Sequence, residues 1–231
     1  MLASPGPRAH TPPGPSPAPQ AALLDELGTQ AATLKPDVLR LGLDATACAI
    51  RQGLVTRQQI LTVIDYSLPS TEPRLWVFEL RTRRLLFREL VAHGRNSGSN
   101  HTTHFSDRPG SLATSLGLFV TADTYVGRHG YSLRLRGLEA GVNGRAEARA
   151  IVLHGAPYVT AEVARKLGRL GRSWGCPAVG LGVAQGLIDT IKGGTVVFAY
   201  YPEPGWLASS KFVSRCTAGA TDPTGPHAEN R

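Results

Sequence analysis

"LGRSWGCPAV" (residues 170–179) sets Cys176 between Gly175 and Pro177, beside Trp174 and close to Gly171 and Arg172. A cysteine of a core strand sits among Val, Ile and Leu. This one sits in a turn-like stretch that presents a side chain rather than hiding it. Just upstream, "RAIVLHG" (149–155) is an apolar strand-like run ending in His154 and Gly155. A strand that delivers His154 at its C-terminal end, followed by a connection that returns Cys176 in a turn, brings the two side chains together. The pairing has chemical content. A free thiol with a pKa of about 8.5 is mostly protonated at neutral pH, and a neighbouring imidazole can draw off its proton. Spacing alone leaves coincidence open, because the chain has three cysteines and seven histidines.

Working outward from this pair, the period of the sequence changes along the chain. "RLWVFEL" (74–80) and "LLFRELVAH" (85–93) are strand-like runs joined by the polar "RTRR", which predicts a hairpin. "LGLFVTADTY" (116–125), "SLRLRGL" (132–138) and "TVVFAYY" (195–201) are further strand candidates, and Thr160–Leu167 and Gly182–Ile191 are helix-like. Upstream, Val38, Leu39, Leu41, Leu43, Ala47, Ile50 and Leu54 recur at three-to-four spacing, and Thr56 can cap a second helix through Ile64. The expectation is a mainly β fold with short helices (α+β). Its parts are a Pro-rich disordered leader (1–35), a helical hairpin (36–70), a catalytic domain (71–208) and a polar tail (209–231).

Composition bounds the partners. Hydrophobic residues make up 42% of the 231 and no run is long enough to span a membrane, so no membrane-spanning segment is expected. The net charge of +8 comes mainly from scattered Arg without interleaved aromatics. That pattern argues against nucleic acid and suits an anionic matrix. The odd number of cysteines without CxxC spacing argues against a disulfide scaffold or a zinc site. Cys48 reads as a small buried apolar residue, Cys216 as incidental, and no bridge is predicted. His101, His104 and His129 lie in no metal-ligating pattern, so no metal is assigned. The first 20 residues lack the apolar middle of a secretory signal. The expected location is therefore the periplasm or cell envelope if a signal lies upstream of Met1, and otherwise the cytoplasm.

"IVLHGAPYVT" followed by "LGRSWGCPAV" resembles the catalytic signature of the murein L,D-transpeptidase (YkuD-like) superfamily, in which a His-Gly element precedes a Ser/Thr-x-Gly-Cys element. "VAHGRNSG" (91–98), residues 115–143, residues 187–202 and "WLASSKF" extend the resemblance to its murein L,D-transpeptidase catalytic domain branch. The resemblance implies a YkuD-like β-sandwich or barrel. It implies Cys176 as nucleophile and His154 as general base, oriented by the carbonyl of Gly155 or a neighbour. Gly175, Ser173 and Gly155 would shape the site, with amide N–H groups around Gly175 and Cys176 facing an oxyanion. Arg172, His93 and Trp174 would meet substrate, Arg172 by a bidentate fork to a carboxylate.

The implied reaction is acyl transfer on peptidoglycan stem peptides, cleaving the L,D bond before terminal D-alanine and forming 3–3 cross-links, with no cofactor. Hydrolysis by the same chemistry in murein recycling, a wall-binding module with an inert cysteine, and a general cysteine protease are the alternatives. The chain departs from the commoner superfamily pattern at Trp174, where that pattern has His, and at Ala178, where it has Arg or Asn.

Overall fold

The computed structural model describes residues 17–214 and residue 216. Residues 1–16 of the leader and, apart from residue 216, the tail from residue 215 on lie outside the described residues. The elements, in chain order, begin with α1 (Pro17–Gln30), α2 (Pro36–Arg51), β1 (Ile60–Asp65), β2 (Leu75–Glu79) and β3 (Arg84–Glu89). They continue with β4 (Gly117–Gly127), β5 (Gly130–Gly137), β6 (Val152–Ala156), α3 (Ala161–Leu167) and β7 (Ala178–Gly180). The last three are α4 (Leu181–Ile191), β8 (Val196–Tyr200) and α5 (Pro204–Ser209).

All eight strands form one sheet in the order β3-β2-β1-β8-β4-β5-β6-β7. Its two ends approach each other. Beyond β3 the chain runs on to Ala92, which pairs antiparallel with Ala178 of β7, the amide of Ala92 reaching the Ala178 carbonyl at 2.8 Å. The sheet is thereby rolled to near closure, which is the barrel form of the expected mainly β architecture and leaves little free edge. Trp76, Phe78, Phe198 and Leu118 fill its core. Helix α2 lies against β1 and β8, with Gly42 close enough that a Cβ there would stand 3.2 Å from Phe198 and 3.4 Å from Val63.

Three expectations need correction. The second helix of the predicted hairpin is the strand β1. Ile60, Leu61, Val63 and Ile64 fit helical spacing as well as they fit a buried strand. β1 is covered on both faces and shows no alternation to betray it. A helical pair does precede the sheet, but it is α1 with α2. Part of the expected disordered leader is therefore helical: Leu27 of α1, with Ala31 and Leu34 beyond it, is buried. Gln30 bonds the backbone of edge strand β3 from both groups of its amide, to the Arg83 carbonyl at 2.8 Å and the Leu85 amide at 2.9 Å. Finally, Cys48 and Cys216 form a disulfide with their Cα atoms 6.0 Å apart. It ties α2 to the segment after Phe212 and Val213, both buried. Sequence spacing gave no sign of it, because 168 residues separate the two.

Candidate active site

Strand β6 carries His154, and β7 lies parallel beside it with His154 opposite Ala178. Cys176 comes two residues before Ala178. It lies in the bend that leads into β7, so the chain brings it to the end of the strand that pairs with His154. Both line one cavity of about 220 Å³, together with Arg128, His129, Tyr158, Arg172, Ser173 and Trp174.

The turn that presents Cys176 is built by close backbone approach. Gly175 has φ +124°, a conformation that side chains oppose, and a Cβ there would stand 2.8 Å from the Ala113 carbonyl. On the other side a Cβ on Gly94 would stand 2.8 Å from the Gly175 Cα. Ser173 closes the turn: its hydroxyl donates to the Cys176 carbonyl at 2.6 Å and accepts the Gly175 N–H at 3.1 Å. That N–H is therefore engaged within the turn, so of the amides around Gly175 and Cys176 expected to face an oxyanion the Gly175 one is already bonded.

The Cys176 thiol accepts the Val152 N–H at 3.5 Å and donates toward the Ala150 carbonyl at 3.7 Å. Burial raises its pKa above the ordinary thiol value, against the pull of the Val152 N–H and the charge of Arg149. His154 is almost fully buried, and burial lowers its pKa. The Gly155 carbonyl opposes that fall, and the charge of His129 adds to it. At neutral pH the pair thus rests as thiol and neutral imidazole. The His154 Nδ1 lies 2.9 Å from the Gly155 carbonyl, which can only accept, so Nδ1 carries the proton and Nε2 is left as the basic nitrogen. Gly155 itself is buried under α4, where a Cβ would stand 2.9 Å from that of Ala184.

The remaining expected residues divide. Arg172 stands at the rim, its Nη1 donating to the Gly98 carbonyl at 3.0 Å. Trp174 is 61% exposed and carries the Arg128 guanidinium 5.4 Å from its ring centre. His93 is not in the cavity, contrary to expectation. Its backbone carbonyl accepts the Ser173 N–H at 3.0 Å, but its imidazole is fully buried against Arg74, whose Nη2 donates to Nδ1 at 2.7 Å.

Arg128, His129 and Tyr158 were not singled out from the sequence as site residues. The tight turn between β4 and β5 folds Arg128 and His129 over the cavity, and His129 stacks on His154 with ring centres 4.4 Å apart. Gly127 and Gly130 around "RH" signal the turn, but nothing local tells where its tip lands. Gly171 makes room for Tyr158, since a Cβ there would collide with the tyrosine Cβ. Among the described residues no cluster of three or more His, Cys, Asp or Glu could hold a metal ion, and no helix is long and apolar enough to cross a membrane.

Several solved structures share a partial likeness. An L,D-transpeptidase from Stackebrandtia nassauensis is 14% identical, over 80% of this chain and 92% of that one, with a TM-score of 0.39. One from Mycobacterium smegmatis is 13% identical, over 62% of this chain and 59% of that one, with a TM-score of 0.38. L,D-transpeptidase 1 of Mycobacterium tuberculosis is 12% identical, over 62% of each chain, with a TM-score of 0.35. The match thus spans about three fifths of the length of the mycobacterial proteins. No curated protein matches the sequence. The family model for the L,D-transpeptidase catalytic domain matches residues 30–200, well over half of the chain and inclusive of Cys176 and His154, and the chain belongs to that family.

Proposed function

We propose that this chain catalyses acyl transfer on peptidoglycan stem peptides, with Cys176 as nucleophile and His154 as general base. One observation carries the reading: both side chains line one cavity, and the bond from His154 Nδ1 to the Gly155 carbonyl leaves Nε2 to accept a proton. Cys176 attacks the carbonyl that joins the third stem residue to terminal D-alanine while Nε2 takes the thiol proton. The C–N bond breaks, D-alanine leaves with that proton on its amine, and a thioester remains. An amine of a second stem attacks the thioester, gives a proton to His154, and releases Cys176 with a 3–3 cross-link formed. The cavity lining includes Arg128 and Arg172 and no carboxylate, which suits a donor ending in a carboxylate. The Cys48–Cys216 disulfide supports work in an oxidising compartment, the periplasm or cell envelope.

The test is purified protein with disaccharide-tetrapeptide, products read by mass spectrometry beside Cys176→Ala. A dimer lacking one D-alanine, absent with the variant, is the expected result. Tripeptide alone would replace transfer by hydrolysis, and turnover by Cys176→Ala would overturn the nucleophile. A carbapenem, whose strained carbonyl traps a thiolate, should add its mass to Cys176 in wild type and not in the variant. Thiol labelling of protein taken from intact cells should leave Cys48 and Cys216 unreacted if the compartment is oxidising.

A further inference from the structure

Beneath the nucleophile turn lies a second charged group that the reaction scheme does not use. Arg149 and Asp107 are almost wholly buried, their side chains 3% and 7% exposed, and pair at 3.7 Å. The guanidinium gathers the loop 106–115: Nη1 donates to the Ser106 carbonyl at 2.6 Å, and Nη2 to the Ala113 carbonyl at 2.6 Å and the Ser111 hydroxyl at 3.1 Å. This loop is the floor of the turn. The Ala113 carbonyl abuts Gly175, and the Thr114 hydroxyl donates to the Gly175 carbonyl at 3.3 Å. A Cβ on Gly175 would stand 3.3 Å from Arg149 Nη2, so the cation sits directly under the peptide that leads into Cys176. The next residues, Ala150 and Val152, are the ones whose backbone touches the sulfur. Ala150 holds φ +53°, a left-handed conformation unusual for alanine, so the chain is bent sharply between the arginine and the sulfur.

Most of the Arg149 hydrogen bonds go to neutral oxygens and Asp107 meets it loosely, so a buried positive charge is left close to the sulfur. Resting on the reading of Cys176 as nucleophile, we propose that Arg149 is a positioning residue for the reaction: it fixes the Cys176 turn and favours the thiolate form of the sulfur, while Asp107 limits how much of its charge the sulfur feels. The other titratable and charged groups that line the cavity with Cys176 are His154 from β6, His129 and Arg128 from the β4–β5 turn, Arg172 and Tyr158, and Tyr66 is near enough for its charge and that of the sulfur to interact. All are unchanged in the variants that test the proposal.

The test is the pH dependence of iodoacetamide alkylation at Cys176 in the full chain, followed on its peptide by mass spectrometry. Arg149→Met should move the midpoint up by about one pH unit, and Arg149→Lys should restore most of it. Asp107→Asn should move it down, because the arginine charge is then unopposed. A purely structural pair would lower the melting temperature in Arg149→Met and Asp107→Asn and move neither midpoint, which would overturn the proposal. If Arg149→Met does not fold, the direction of the Asp107→Asn shift decides alone. Alkylation reads the sulfur whatever the substrate. Opposite shifts in a protein that ignores stem peptides would sink the substrate and keep Arg149, whereas unmoved midpoints in an enzyme that turns them over would remove only Arg149.

Discussion

His93 and His154 begin as near twins. Each follows an extended apolar run, each is followed by glycine, and the two segments flank the Cys176 turn from opposite sides. β6 pairs with β7 at Ala178, and Ala92 pairs with the same Ala178 from the other side. Their side chains have opposite fates. The imidazole of His154 opens on the cavity, anchored by a carbonyl, with a free basic nitrogen. The imidazole of His93 turns into the interior and gives its lone pair to Arg74, which itself donates to the Val91 and Leu68 carbonyls. A dipeptide therefore does not define a role. The direction the side chain takes from the backbone does, and the partner it finds there settles its charge.

The largest effects should separate the two. His154→Gln is expected to lower kcat/KM on stem peptides by about 10²–10⁴-fold with little change in melting temperature. His93→Leu should do the reverse. It removes one of the two acceptors of the buried Arg74 Nη2, which keeps the Val91 carbonyl at 3.0 Å, and should cost about 1–2 kcal/mol in denaturant unfolding, with kcat per folded molecule within about threefold of wild type. A fully folded His93→Leu that had lost turnover would break the distinction and return His93 to the site.

Acid should separate them again, through stability in one case and rate in the other. Burial and the Arg74 charge push the His93 pKa down to about 4, from an ordinary 6.5. Below 6.5 the unfolded chain takes up a proton that the native state refuses. The contribution of His93 is thus complete above pH 6.5 and is lost as pH falls towards 4, about 3 kcal/mol in all. Unfolding curves in this window should be steeply pH-dependent in wild type and flatter in His93→Leu. His154 also has a lowered pKa, and its protonation would remove the proposed base. The acid limb of kcat/KM should therefore fall below 6.5, and a limb above that value would mean that His154 is not buried as described.

How much of this could be read from the sequence follows from how local each feature is. β2, β3, β5, β6 and β8 show as strands because their residues alternate or form short apolar runs between turn signals, and α3 and α4 fall where their helical period lies. β1 did not, because a strand buried on both faces has no period to show. α1 did not, because its helical sequence runs on from a Pro-rich leader. At the site, Cys176 and His154 stand out because their neighbours in sequence set them up: Gly175 and Pro177 make the turn, and the apolar run makes the strand. What remained hidden depends on partners far along the chain. Arg74 claims His93 from 19 residues away, and Cys216 reaches Cys48 across most of the chain.

The smallest expected effect sharpens the comparison at its finest point, since His154 has a second histidine stacked on it. His129 influences His154 in two ways that act in the same direction. Its ring covers the imidazole from solvent, and its charge disfavours a second one 4.4 Å away. His129→Ala removes both, so the acid limb of the pH–rate profile should move up towards 6.5, with kcat at neutral pH changed by no more than a few-fold. His129→Phe keeps the cover and removes the charge. Because burial is the largest cause lowering the His154 pKa, the phenylalanine variant should move the limb less than the alanine variant does. Equal shifts would show that charge alone sets the effect, and no shift in either would show that the β4–β5 turn does not rest on His154 in solution.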